Sequence, residues 1–352
     1  MSSEIPKTIS AAILYKTGSK LKVVDDLILP KLRKGQVLVK MFFSGLCHSQ
    51  LMEIKGKRSQ NHYLPHLLGH EGSGKVVKIG NGVTKVKEGD LVVLSWIKSK
   101  GLDSGGMKYT RKSGDSINAG PITTFSNYTI VSENRVIHKP KETDVKTSVL
   151  YGCAIPTGSG IILNEIKLTK KSKIAIIGIG GVGIAALLMA SVLKPKILIG
   201  IDINNKKLNL AKKFGATETI NSKENCVEDR VNKITNYHGL DYVIEAAGLT
   251  STIELGFKII KKFGGKLIFA SHPPDGKLIS IDPHDLISGK KIKGTWGGSC
   301  DMDKDIKKID NLLKKNKISL SSLVNKVYGL NDINDAINDL QSRKVVRAII
   351  KF

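Results

Sequence analysis

The stretch KIAIIGIGGVGIAALL, Lys173–Leu188, decides the fold. It starts as an apolar run of strand length and ends as an apolar run of helical character. Between the two, Gly178, Gly180 and Gly183 stand in G-x-G-x-x-G spacing. That spacing alone is weak evidence, but directly after a buried strand and at the opening of a helix it has a physical meaning. Gly178 permits the tight turn, Gly180 lets the backbone approach a pyrophosphate, and Gly183 lets the helix lie close to the strand. Gly181 and Val182 complete the turn, whose free N–H groups and helix dipole favour phosphate. The uncharged run Ile174–Leu193 is long enough to cross a bilayer. Its glycine pattern makes strand, turn and helix the better reading, so no membrane association is expected.

Downstream of this stretch, strand and helix signals alternate. ILIGID precedes the helical NKKLNLAKKFGA, and ETIN precedes a helix over residues 227–237. LDYVIEAAG, STIELGFKIIKKF, GKLIFAS and KIKGTW follow. The rhythm predicts a doubly wound parallel sheet. Asp202 ends its second strand. A carboxylate there would accept hydrogen bonds from an adenosine ribose and repel a 2′-phosphate, favouring NAD over NADP; it could equally be a turn aspartate capping the next helix. Lys206 and Lys207 stand close by and bear on the same choice.

Upstream, the chain reads as strands and turns. AAILY, KLKVVDDL, GQVLVKMFFSG, GSGKVVKIG and DLVVLSWI are short apolar or alternating runs. Residues 98–121 are mostly polar and are expected to form a long loop. Past Gly297 two helical segments and the strand RAIIKF break the alternation and are expected to return to the first domain.

Four cysteines, Cys47, Cys153, Cys226 and Cys300, are too scattered for a disulfide framework. The segment SGLCHSQ leaves Cys47 open to three readings: buried filler, nucleophile or metal ligand. LLGHEGSG adds His70 and Glu71, and YGCAIPTG adds Cys153. Two thiolates and one imidazole make a zinc shell with a fourth position open for water or substrate.

The net charge of +25, from 56 basic and 31 acidic residues, is spread along the chain as single or paired lysines. No zinc-finger, helix-turn-helix or aromatic RNA-binding pattern accompanies it, so nucleic-acid binding is not expected as the function. The opening MSSEIPKTIS lacks the basic and then apolar character of a signal peptide, and a cytoplasmic location is expected.

GLCHS, GHEGSG, GDLVVLSW, GCAIPTG, GIGGVG and the closing RAIIKF occur in the order seen in zinc-dependent medium-chain dehydrogenases/reductases, the alcohol dehydrogenase family, which this chain resembles over nearly its whole length. The resemblance implies an α/β fold: a Rossmann doubly wound parallel sheet over residues 155–296, and a mostly-β GroES-like catalytic domain over 1–154, completed by a return segment over 297–352. It implies an oxidoreductase moving hydride between an alcohol and NAD, with one zinc per subunit held by Cys47, His70 and Cys153. Glu71 matches the glutamate beside the metal, and Ser49 the hydroxyl that bonds the substrate oxygen. His48 and Arg347 match pyrophosphate contacts, Thr157 the residue under the nicotinamide, and Lys207 a lysine near the adenosine ribose. Trp96 and Phe125 match walls of the substrate pocket. KIKGTW resembles the edge strand through which family dimers join, so a homodimer is expected, with a tetramer as the larger alternative.

Three departures from the family pattern stand out. The region 98–121 has no cysteine, whereas many members carry four there for a structural zinc. Gln50 replaces an aspartate that supports the metal shell. Met52 stands where some members end a proton relay in histidine, leaving His48, His62, His66 or bulk water for that role. His272 resembles a position near the nicotinamide, and a simple packing or carboxamide contact is the expected role. The substrate is expected to be a primary alcohol, a polyol or a sugar-type alcohol. Two other readings are weaker: a zinc-free quinone or enone reductase of the same fold, which would usually lack the Cys-His-Cys set, and a non-catalytic anion- or RNA-binding protein.

Overall fold

The computed structural model describes residues 5–58, 62–324 and 326–352; the first four residues of the opening segment lie outside them. The chain divides into two compact units. One comprises Met1–Cys153, Asp301–Lys307 and Ser319–Phe352, and the other Ala154–Cys300 and Lys308–Ile318.

The first unit is built on strands Thr8–Leu14 (β1), Lys22–Ile28 (β2), Gln36–Leu46 (β3), His66–Leu67 (β4), Glu71–Ile79 (β5), Leu91–Ser95 (β6), Met107–Arg111 (β7), Ser116–Ala119 (β8), Tyr128–Ser132 (β9) and Val136–His138 (β10). Helices His48–Ile54 (α1) and Val145–Ser148 (α2) interrupt them. β1, β2, β7, β8 and β4 close into a barrel. Its interior is filled by Ile9, Ile13, Leu27, Met107, Tyr109 and Ile117, among others. Alternate residues face inward, as the two-residue period of a strand requires.

The region 98–121 is therefore not the loop expected from its polarity. Met107 and Tyr109 are buried while Lys108 and Thr110 are exposed, a period-two pattern diluted by flanking glycines and lysines. Arg111 anchors the hairpin through two bonds to Asp26, at 2.9 and 3.0 Å. Buried Glu133 accepts from the N–H groups of Leu102, Thr84 and Lys85 at 2.8, 2.6 and 2.8 Å. These contacts hold the region with no cysteine in it.

The second unit begins with helix Ala154–Gly160 (α3) and contains strands Lys173–Ile177 (β11), Ile197–Asp202 (β12), Glu218–Asn221 (β13), Tyr242–Glu245 (β14), Lys266–Phe269 (β15) and Lys291–Gly294 (β16). Helices Gly181–Val192 (α4), Asn205–Lys213 (α5), Val227–Thr235 (α6), Thr250–Ile259 (α7) and Pro283–Ile287 (α8) separate them. The strands run in the order β13-β12-β11-β14-β15-β16, and every neighbouring pair is parallel. The doubly wound sheet expected from the alternating rhythm is thus present. Strand order reverses at β11, which leaves a crevice at the carboxyl ends of β11 and β14, the usual ligand position in such sheets.

The remaining elements are helix Met302–Lys315 (α9), strand Lys326–Gly329 (β17), helix Ile333–Gln341 (α10) and strand Ala348–Lys351 (β18). β18 pairs with β3, and β17 with β18, so the larger sheet runs β10-β6-β5-β3-β18-β17, with β9 also on β3. Gly297–Cys300 belongs to the second unit, where Ser299 Oγ donates to Glu165 at 2.9 Å and Thr295 bonds the same carboxylate. Lys308–Ile318 also sorts with the second unit. Among the described residues, no helix is long and apolar enough to cross a membrane.

Candidate metal centre and nucleotide turn

Register alone brings the metal-ligand candidates together. β3 ends at Leu46, so Cys47 follows as the N-cap of α1. β5 starts at Glu71, with His70 just before it. Ser44 on β3 pairs with Gly72 on β5, and Ala348 on β18 pairs with Leu46. The end of β3, the start of β5 and Arg347 therefore share one sheet end. Glu71 pairs with Ser95 on β6, and Ser95 Oγ donates to the Gly152 carbonyl at 2.8 Å, which fixes the segment delivering Cys153.

Candidate ligand atoms of Cys47, His70, Glu71 and Cys153 all lie within 4.8 Å of one another, the one such group found among the described residues. Glu71 is fully buried and Cys153 nearly so. A hydrogen bond from Cys153 draws the Cys47 thiol well below its ordinary range, against burial and with help from His70. The same bond, together with burial, pushes Cys153 well above that range. One contact thus moves the two thiols in opposite directions, and a cation beside both sulfurs would favour the thiolate form of each. Burial alone would lower His70, but the Cys47 bond and charge carry it upward. Burial raises Glu71, partly offset by the Arg347 charge.

Arg347 faces Glu71 with Nη1 3.2 Å from Oε1 and Nη2 3.2 Å from Oε2. Glu71 Oε1 nonetheless lacks a directed hydrogen bond, as does Arg347 Nε. A buried carboxylate oxygen with a cationic neighbour but no directed hydrogen bond, beside two sulfurs and an imidazole, fits a divalent ion. The Glu71 backbone carbonyl is held by Ser44 Oγ and Thr124 Oγ1, each at 3.1 Å. Gly45 makes room for the carboxylate, since a Cβ there would lie 2.6 Å from the Glu71 carboxyl carbon.

His48 and Ser49 occupy the first turn of α1, exposed and half-buried respectively. Buried Gln50 reaches back between Gly69 and His70, with Gly69 N–H donating to Oε1 at 2.6 Å and Nε2 3.0 Å from His70 Nδ1. His66 is turned to the Leu67 carbonyl at 2.9 Å and to Glu53 at 3.5 Å. Trp96 is half-buried just past β6, and its carbonyl accepts from Arg135. Phe125, the other residue matched to a pocket wall, is 1% exposed and packs in a core with Leu14, Leu46 and Leu68.

In the second unit, the glycine turn has the expected form. Gly178 has φ +87°, and a Cβ there would lie 2.6 Å from the Ala247 nitrogen; a Cβ on Gly183 would collide with the Gly178 carbonyl. A Cβ on Gly180 would meet no protein atom within 4 Å, so its surroundings are open to a ligand. Gly181 and Val182 open α4. Asp202 lies 9% exposed at the end of β12 and accepts from Ile179 N–H at 2.8 Å and Asn204 N–H at 3.0 Å. Asn204, not Asp202, caps α5, accepting from Lys206 N–H at 2.9 Å. Lys207 Nζ lies 3.8 Å from Asp202. Thr157 is buried in α3. His272 meets Trp296 edge-to-face at 6.3 Å, beside a cleft of about 310 Å³.

Glu245 was not foreseen from sequence. This fully buried carboxylate accepts from Ala247 N–H, Gly248 N–H and Thr252 Oγ1, each at 2.8 Å, and from Ser271 Oγ at 2.7 Å. It shapes the turn beside Gly178. The signal that could have found it is an acid ending an otherwise apolar strand in VIEAAG.

Known proteins agree with this layout. Residues 33–141 match the alcohol dehydrogenase GroES-like domain family, and residues 181–315 the zinc-binding dehydrogenase family. S-(hydroxymethyl)glutathione dehydrogenase of Escherichia coli strain SMS-3-5 is 29% identical, over 97% of this chain and 99% of the relative. Among solved structures, benzyl alcohol dehydrogenase from Acinetobacter calcoaceticus has a TM-score of 0.87 at 29% identity, covering 99% of this chain and 100% of that one. An alcohol dehydrogenase zinc-binding domain protein from Burkholderia ambifaria has a TM-score of 0.89 at 27% identity, covering 98% and 99%. Two cysteines and a histidine with an open fourth position are also the donor set known for the catalytic zinc of alcohol dehydrogenases. The chain belongs to the zinc-containing medium-chain alcohol dehydrogenases, enzymes of alcohol oxidoreduction.

Proposed function

We propose that the protein oxidises a primary alcohol, polyol or sugar-type alcohol with NAD, and reduces the corresponding carbonyl in reverse. Cys47, His70 and Cys153 are the residues that would hold zinc. The observation that carries this reading is the convergence of two sulfurs, an imidazole and a buried carboxylate within 4.8 Å. When bound, zinc supplies Lewis acidity to an alcohol or carbonyl oxygen, and NAD supplies the hydride acceptor.

The chain's own residues do the rest. Ser49 accepts the proton of the substrate hydroxyl and passes it toward solvent on the side of exposed His48. Glu71, held by Arg347, sits beside the ligands as an alternative donor during ligand exchange. Gly178–Gly183 and the N-terminus of α4 receive the pyrophosphate. Asp202 turns its remaining lone pairs to the adenosine ribose, with Lys207 beside it, and Thr157 lies under the nicotinamide. Trp96 walls the substrate site. Arg347 and His48 are the further pyrophosphate contacts, which requires Arg347 to divide its donors between Glu71 and phosphate.

The relatives named for S-(hydroxymethyl)glutathione and benzyl alcohol are both named for molecules that carry a CH2OH group, which supports the primary-alcohol part of the substrate range. Pairing of two copies along β16 is the proposed assembly. This strand ends the parallel sheet, and Ile287 and Trp296, which flank it in sequence, are 80% and 68% exposed.

A screen of alcohols, polyols and sugar phosphates for NADH formation, with and without chelator, tests the function. Chelator-sensitive NADH production from at least one primary alcohol or polyol is expected. Turnover that persists in a demonstrably zinc-free protein, or that occurs only with quinones or enones, would overturn it.

A further inference from the structure

Gln50 faces two neighbours whose demands conflict once a metal is present. A backbone N–H can only donate, so the Gln50 atom 2.6 Å from Gly69 N must be the oxygen. The atom 3.0 Å from His70 Nδ1 is then the amide nitrogen, which also only donates. His70 Nδ1 must therefore present a lone pair to Gln50. A neutral imidazole carries one proton, and with Nδ1 unprotonated that proton sits on Nε2, the ring nitrogen not engaged by Gln50.

Metal capture reverses this. To give a lone pair to a cation through Nε2, His70 must carry its proton on Nδ1, directly against the Gln50 NH2 group. Two donors would then oppose each other 3.0 Å apart, one on buried Gln50 and one on half-buried His70. Turning the amide by half a turn moves the conflict to Gly69 N–H without removing it. In either state one buried donor lacks an acceptor. A carboxylate of the same shape would have no such conflict, because it accepts from both neighbours.

We propose that Gln50 is a positioning residue that sets the zinc affinity of this centre, coupling metal capture to rearrangement of its own amide and making the ion more readily exchanged than a carboxylate at this position would. The proposal rests on the reading that His70 is a zinc ligand.

The test is zinc titration of the metal-free full chain against a chromophoric chelator, for wild type and Gln50→Glu, with thermal melts confirming that both are folded. Gln50→Glu is expected to bind zinc about ten- to a hundredfold more tightly, the range by which partners of metal ligands shift affinity. A gain below about threefold in a folded variant would overturn the proposal. If wild type binds no zinc, the underlying zinc reading fails as well, which separates the two failures. Should Gln50→Glu not fold, amide resonances of ¹⁵N-labelled wild type decide. Zinc is expected to shift the Gln50 side-chain NH2 and Gly69 N–H signals, and signals that stay unmoved on saturation would overturn the proposal.

Discussion

The metal centre in the first unit and the glycine turn in the second are assembled in opposite ways. Cys47, His70 with Glu71, and Cys153 come from three segments far apart in sequence, and strand register brings them together. Gly178–Gly183 are six consecutive residues whose shape follows from missing side chains. One site is made of charge and ligand atoms held in a buried place. The other is made of backbone N–H groups and open space. The first should fail through chemistry when a side chain changes, the second through geometry when a side chain is added.

Replacing a ligand candidate is the harshest test of that contrast. Cys47→Ser and His70→Ala are expected to abolish zinc retention and turnover while leaving NADH fluorescence titrations nearly unchanged. Loss of NADH binding by the same variants would show that the two regions do not fail independently. Next in size is Gly183→Val, whose added atoms meet the Gly178 carbonyl. Overpacking of this kind typically destabilises by about 1–3 kcal/mol. Lower thermal stability and weaker NADH binding are expected, with zinc content near wild type.

A smaller effect is expected from Asp202→Ser. The change also removes the bond to Ile179 N–H, so the informative quantity is the ratio of NAD to NADP efficiency. That ratio should fall about tenfold, the worth of one charge-assisted hydrogen bond and its repulsion of phosphate. An unchanged ratio would mean that Asp202 serves only the turn.

The smallest effect belongs to a carboxylate outside both regions. Hydrogen bonds from Lys326 and Tyr328 lower Asp339 from 3.8 to about 2. A depressed folded pKa gives stability that is present above the ordinary carboxylate value and lost as pH falls toward the folded one. Asp339→Asn should therefore flatten the acid side of the urea-midpoint profile below about pH 4 and lower the midpoint slightly at neutral pH. An unaltered acid side would remove this pair from the stability account.

The same contrast explains what could be read from sequence. The glycine turn was legible because its signal is local: spacing, a strand before and a helix after. The parallel sheet followed from regular alternation, and ETIN matched β13 residue for residue. The metal centre was legible as residue types only through the order of motifs, since no local rule places Cys153 beside Cys47. β7 and β8 were hidden because four buried side chains, Met107, Tyr109, Ile117 and Ala119, are scattered among glycines, lysines and serines. The burial of Phe125 was not legible, because an aromatic in a polar segment gives no sign of which way it faces. The Glu71–Arg347 pair spans most of the chain, and only the antiparallel register of β18 on β3 creates it.

X-ray absorption at the zinc edge of the purified protein tests the central claim most directly. About one zinc per chain is expected, with two sulfur scatterers near 2.3 Å and at least one nitrogen or oxygen near 2.0–2.1 Å, and with the sulfur signal halved in Cys47→Ser if any metal remains. A zinc-free protein that turns over alcohols, or a shell of four sulfurs, would contradict the account.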